Sequence, residues 1–203
     1  QLWRYDSSVS IRDKAAQEEK NTLWQWFSEN PDIADISFAR ESTLDITANG
    51  ITKSIGIVVL PDAAAFGKFF CFRDRASKTE YSIRDGGVII TEKLARMLKV
   101  QAGDTVQLEP DASVFYPVKV EAVAENYIYH YVFMTESAYE QIFGEKPIYN
   151  ECFLRFTADA AADEERVAAD ILRENEIVTS VMVTSTLQKQ IDDGFLIPCI
   201  LDG

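Results

Sequence analysis

Residues 86–108, GGVIITEKLARMLKVQAGDTVQL, decide how this chain is read. Val88–Thr91 is a short β-branched run, and Glu92–Leu98 has helical spacing with Leu94, Ala95 and Leu98 on one face. Ala102–Asp104 is a turn, and Thr105–Glu109 alternates again as a strand. Thr91 is placed to cap the helix, and Glu92 suits its positive N-terminus. The stretch therefore predicts strand, helix and strand in close succession. It contains no residue pattern for catalysis, so the small helix is expected to be a packing element.

Upstream, Ser10–Asn30 reads as a long helix, with Ile11, Ala15, Ala16, Glu19, Thr22, Leu23, Trp26 and Phe27 on one broad side. Ser10 and Asp13 resemble a capping box at its start, and Pro31 ends it. Trp24 falls off the apolar side. Its ring either lies along the helix flank, half covered by a neighbouring element, or is an exposed anchor for a partner or a membrane interface. From Ile33 to Leu60 the period changes to two, and ANGI at 48–51 marks an Asn-Gly hairpin. PDAAAFGKFF begins with a helical turn at Asp62 and leads into a strand, FFCF, a charged turn, RDRASKTE, and a second strand, YSI.

Downstream, residues 114–126 alternate as a strand that Pro117 places at an edge or a bulge. YIYHYVFM follows, with Tyr127, Tyr129 and Tyr131 on one face and His130 on the other. A helix over Glu136–Phe143 is capped by Thr135 and stopped by Gly144, and NECFLRF is the next strand. Asp159–Asn175 reads as a second long helix with Val167, Ala168, Ile171 and Leu172 as its buried stripe, followed by a strand at 178–185. Helix-then-strand therefore occurs twice, at ENPDIADISF (29–38) and ENEIVTSVMV (174–183). This echo predicts an α+β fold of mixed or antiparallel sheets in which two long helices cover one sheet, arranged as one or two subdomains. Residues 1–60 with 150–190 form the expected helix-and-sheet subdomain and 61–149 an inserted β-rich one. Residues 191–203 form a tail; LQKQIDDGF is read as a helix leading out.

The totals exclude several functions. Thirty-three acids against 20 bases give a net charge of −13, and the few Lys and Arg are not clustered, which argues against nucleic acid. The longest apolar runs, 56–60 and 195–201, fall far below the roughly 20 residues that span a bilayer, so the chain reads as soluble. No signal-peptide pattern occurs, and both ends look cut. Three cysteines, Cys71, Cys152 and Cys199, lack CxxC spacing and have one histidine to join them, so free thiols are expected and no metal site. Phosphate-loop, dinucleotide and GxSxG patterns are absent, so no cofactor is expected. His130 reads as a structural histidine, bonded to backbone or water. The tyrosines around it form a candidate binding surface. The acid groups at 163–165 and 192–193 do not follow the calcium-loop pattern and read as helix-start or solvated charges.

The ordered set of DGGVIITEKLARMLKVQAGDTVQL, YPVKVEAVAENYIYHYVFMTESAYEQIFG and YNECFLRF resembles the extracytoplasmic domain of FtsX-like, MacB-type ABC transporter permeases, above all the large permeases of Gram-positive Firmicutes. QLWRYDSSVSI is similar to the segment that leaves the preceding membrane helix, and LPDAAAFGKFFCFRDRASKTEYSI to the strand and hairpin before GVIITEKLA. The likeness runs in order through residues 1–185. It implies a MacB periplasmic-core-like fold and a domain on the outer side of the cell membrane, tethered by transmembrane helices on both sides. It further implies an ATPase subunit on the cytoplasmic face and a peptide, lipoprotein or cell-envelope partner outside. The domain would then be a mechanical relay and not an enzyme, made rigid by the strand-helix-strand unit. The resemblance carries no catalytic residue over. Trp24, Tyr127, Tyr129 and Tyr131 are the candidate partner surface. The alternative is a stand-alone secreted module that binds peptide or lipid; a carboxylate hydrolase would need paired acids in a pocket.

Overall fold

The computed structural model describes residues 2–126 and 130–192. Ser7–Ile11 is a strand, β1, which takes Ser10 and Ile11 from the start of the expected helix. It is bonded on both sides by other strands, and ladder bonds along both edges outweigh its weak helical spacing. The first helix, α1 (Gln17–Glu29), therefore starts later than expected. Ser10 does not cap it; its hydroxyl donates to Glu151 Oε1 at 2.6 Å, and the N-terminus of α1 is closed by Glu19, which accepts the Ala16 N–H at 2.8 Å.

β2 (Ile33–Ala48) and β3 (Ile51–Leu60) form the expected hairpin. Asn49 and Gly50 both take positive φ, 52° and 75°, as a two-residue type I′ turn requires. α2 (Ala63–Phe69) opens on Asp62, whose carboxylate accepts the Ala65 N–H at 2.8 Å. The expected strand FFCF shrinks to β4 (Phe72–Arg73), which pairs with β5 (Glu80–Tyr81) across the charged turn.

β6 (Val88–Thr91), α3 (Glu92–Leu98) and β7 (Thr105–Asp111) follow the reading of the opening stretch. Thr91 differs: its hydroxyl makes no cap bond and instead accepts the Tyr131 N–H at 3.3 Å, because the side chain is wholly buried. Then come β8 (Val114–Lys119), β9 (Ala122–Ala124), β10 (Tyr131–Thr135) and α4 (Glu136–Phe143), the last held between the Thr135 hydroxyl and Gly144 at φ 75°. After β11 (Glu151–Phe156), the predicted long helix is two, α5 (Ala158–Ala161) and α6 (Glu164–Glu174). Thr157 caps α5, and the chain leaves helical geometry at Asp163 before α6 begins. Val167 and Ile171 are buried as expected, whereas Leu172 is exposed. β12 (Val178–Val183) and α7 (Thr184–Asp192) follow. Most of the expected tail, 193–203, lies outside the described residues.

Contacts divide the described chain into one unit of residues 3–39 and 149–192 and another of residues 2 and 40–148. The division falls at 39/40, not at the expected 60/61. Residues 40–60 are one hairpin whose Leu44, Ile46, Ile55, Ile57 and Val59 enter the core of the second unit.

In the first unit the strand order is β12-β1-β11-β2, every pair antiparallel. β1-α1-β2 and β11-α6-β12 are thus two interleaved split βαβ units, the ferredoxin-like arrangement. Leu23 and Phe27 of α1 and Val167 and Ile171 of α6 pack on Val9, Ile11, Cys152, Leu154 and Phe156, so both helices cover one face. The helix-then-strand echo in the sequence is this repeat.

In the second unit the pairings close on themselves. β2 pairs β3, β3 pairs β10, β10 pairs β6, β6 pairs β9, and β7 joins β8 back to β2. Because β8 runs almost directly into β9, these strands wrap into a small barrel. Pro117 stands opposite Gln107 in the β7–β8 ladder, on a strand whose one described partner is β7, which fits the expected edge position. Leu94 and Leu98 of α3 and Ala138 of α4 join the core of Ile57, Ile90, Val106 and Val132. On the opposite face, Phe66, Phe70 and Phe72 surround Phe133 with centroids 5.2–6.3 Å away.

Candidate functional site

Helix α1 sets the position of Trp24. Leu23 and Phe27 are sunk in the core, which leaves Trp24, the residue after Leu23, about 100° around the helix and at its flank. The Trp24 ring stacks on Phe38 of β2 at 5.5 Å with 27° between planes, and Phe38 stacks on Tyr149 at 6.2 Å and 10°. Trp24 remains 41% exposed, while Phe38 and Tyr149 are half-buried. The Trp24 ring is half covered by a neighbouring strand, as the first of the two sequence readings expected, and its outer face is open. Each such aromatic pair is worth about 0.5–1.5 kcal/mol beyond burial, enough to hold the ladder in one arrangement. Phe38 and Tyr149 escaped the sequence reading. Phe38 looked like one more alternating strand residue, and 111 positions separate it from Tyr149.

Tyr127 and Tyr129 lie outside the described residues. Tyr131 is half-buried, and its ring lies over the backbone of Gly56: a Cβ there would come within 2.6 Å of two ring carbons. His130 is buried, and its Nε2 has no hydrogen-bond partner among the described residues. Burial, with Lys93 and Lys53 nearby, holds its pKa below the usual histidine range, so the ring is neutral at pH 7.

Other charged groups are tied up in pairs. Arg166 joins Asp32, Asp163 and Asp170 at 3.1, 3.3 and 3.2 Å, which accounts for part of the acidic start of α6. An open cleft of about 410 Å³ is lined by Asp74, Arg75, Ala76, Glu92, Val123 and Glu125. Glu92 is bonded by Arg75 at 3.1 Å and Arg96 at 2.6 Å, and Glu125 by Arg73 at 2.7 Å and Lys78 at 2.9 Å. Burial favours the neutral acid at Glu92, but the two arginine bonds outweigh it and keep its pKa low. No group of three acids, cysteines or histidines among the described residues is placed to hold a metal. Cys152 is a free thiol, fully buried, and burial raises its pKa; Cys71 is half-buried, and Cys199 lies outside the described residues. No described helix is long and apolar enough to cross a membrane.

No protein-family model matches the sequence, and no curated protein matches it. The fold does have solved counterparts. The periplasmic region of MacB from Actinobacillus actinomycetemcomitans superposes with a TM-score of 0.55 at 9% identity, covering 95% of this chain and 94% of that one. The extracellular domain of the ABC-type transporter YknZ from Gram-positive bacteria also gives 0.55, at 11% identity, over 89% and 99% of the two chains. The chain shares the fold of these domains, the MacB-like fold expected from the sequence resemblance.

Proposed function

We propose that this chain is the extracellular domain of an ABC transporter permease of the FtsX-like, MacB-type class. In this reading it has no catalytic role and passes ATP-driven motion from the cytoplasmic side to a peptide, lipoprotein or envelope partner outside the membrane. The observation that carries it is the backbone likeness to the MacB periplasmic region over 95% of the chain.

A feature of the first unit supports the reading. The Thr184 N–H donates to the Asp6 carbonyl at 2.8 Å, and the Thr184 hydroxyl to the Tyr5 carbonyl at 2.9 Å. The chain thus comes into β1 and leaves β12 side by side, as a domain hung between two membrane helices must. A shift of those helices would pull on β1, which is bonded along both edges, and so move the whole sheet. The barrel of the second unit is suited to moving without deforming.

The test is to read the encoding gene outward and then purify its full product from membranes. Apolar segments of about 20 residues on both flanks, with an ATPase subunit that co-purifies, are the expected result. A cleaved signal peptide and a stop codon close to Gly203 would overturn it. The stand-alone binding module would then remain, favoured by the open face of Trp24.

A further inference from the structure

We propose that the outer edge of β2 at Ile33–Ala39, backed by the Trp24, Phe38 and Tyr149 rings, docks an extended basic segment of a partner protein as an added strand. The inference concerns the first unit alone and does not depend on the membrane reading. β2 pairs with β11 along this stretch, and among the described residues no strand pairs with its other side. The Ala39 carbonyl accepts the Asn150 N–H at 3.0 Å and so faces β11. Alternation along an antiparallel strand then turns the N–H and C=O groups of Ile36 and Phe38 toward the outer edge. The Ser37 hydroxyl donates to the Phe38 carbonyl at 2.9 Å, which has a second lone pair to offer.

An edge of this kind is a template for another chain unless lysine or proline blunts it. The sequence IADISFA has neither; its one charge, Asp35, pairs with Arg155 at 3.6 Å, and the register shift against β11 is confined to the Ile33–Asp35 end, so Ile36–Ala39 is regular. Side chains from one face of an added strand would meet the aromatic ladder, whose ring faces attract Lys and Arg. Charge selects the occupant further: residues 3–39 and 149–192 carry sixteen Asp and Glu against eight Lys and Arg. A second copy, with a net charge of −13, would be repelled, and a basic segment would be drawn in.

The test uses the 203-residue chain and a synthetic ten-residue peptide alternating Lys with Val and Phe. Two further peptides carry Glu in place of Lys, or N-methyl groups on alternate amides. Titration is followed by amide shifts in NMR spectra. The expected result is binding of the Lys peptide with shifts centred on Ile36 and Phe38. Loss should be about tenfold on N-methylation and about fivefold for Trp24→Ala. Ile36→Pro, which removes an outward N–H and leaves the β11 ladder intact, should weaken binding to a similar degree. Three results would overturn the proposal: no binding of the Lys peptide, equal binding of the N-methylated or Glu peptide, or shifts at Ile36 and Phe38 that follow protein concentration alone and so report self-association.

Discussion

Glu151 is the least settled charge in the first unit. Ser10 donates to one carboxylate oxygen, while the other is buried with no partner. Burial raises its pKa, and the Ser10 bond only partly offsets this. The folded state therefore binds this proton more tightly than the unfolded chain. Its contribution to stability is complete below the unfolded value of about 4.5 and is lost as pH rises through the higher folded value. Glu151→Gln keeps an acceptor for Ser10 and removes the charge. It should raise the melting temperature at pH 7 by about 2–4 °C, a gain of about 1 kcal/mol, and give no gain at pH 4. Glu165→Gln, at an exposed position, is the control for net charge; an equal gain there would show that the burial of Glu151 is not the cause. None of this was visible in the sequence. Glu151 read as the first residue of an ordinary strand, and its environment depends on Ser10, 141 positions away.

At the scale of elements, α2 shows how much a local signal can settle. Asp62 was expected to begin a helical turn, and its carboxylate does accept the Ala65 N–H. The Ala63 N–H is taken by Asp85 at 3.1 Å, so two acids satisfy the first turn. Asp62→Ala should destabilise the chain by about 1 kcal/mol, seen as a lower urea midpoint with unchanged slope, and Asp62→Asn should recover most of the loss. The hairpin at Asn49-Gly50, the helix between Thr135 and Gly144 and the strand-helix-strand of residues 88–111 were legible for the same reason: caps and turns act over three or four residues. β1 was misread because its alternation is short and its two partner strands are remote in sequence. The split of the helix at 159–175 was missed because a break at Asp163 leaves the helical spacing on either side almost unchanged.

Across the whole molecule, burial is concentrated where strands close on one another. Val59, Ile90, Val132 and Met134 in the barrel are fully buried, whereas the charged turn between β4 and β5 is exposed. Hydrogen exchange should find the amides of β3, β6 and β10 among the slowest in the chain, and those of residues 74–79 exchanging within the dead time of a manual experiment. Fast exchange throughout β10 would mean that the ring does not close in solution. The sequence by itself determined the α+β class, nearly all the elements, the repeat of helix and strand, and the resemblance that pointed to the MacB-like fold. Each of these rests on short-range periodicity or on ordered motifs. Tertiary structure alone decided that β1 is a strand, that the units divide at 39/40, that β2 to β10 close into a barrel, and that Trp24 meets Phe38 and Tyr149. Those outcomes depend on pairings between residues tens to more than a hundred positions apart, where strand edges and buried faces select one partner among many that local pattern permits.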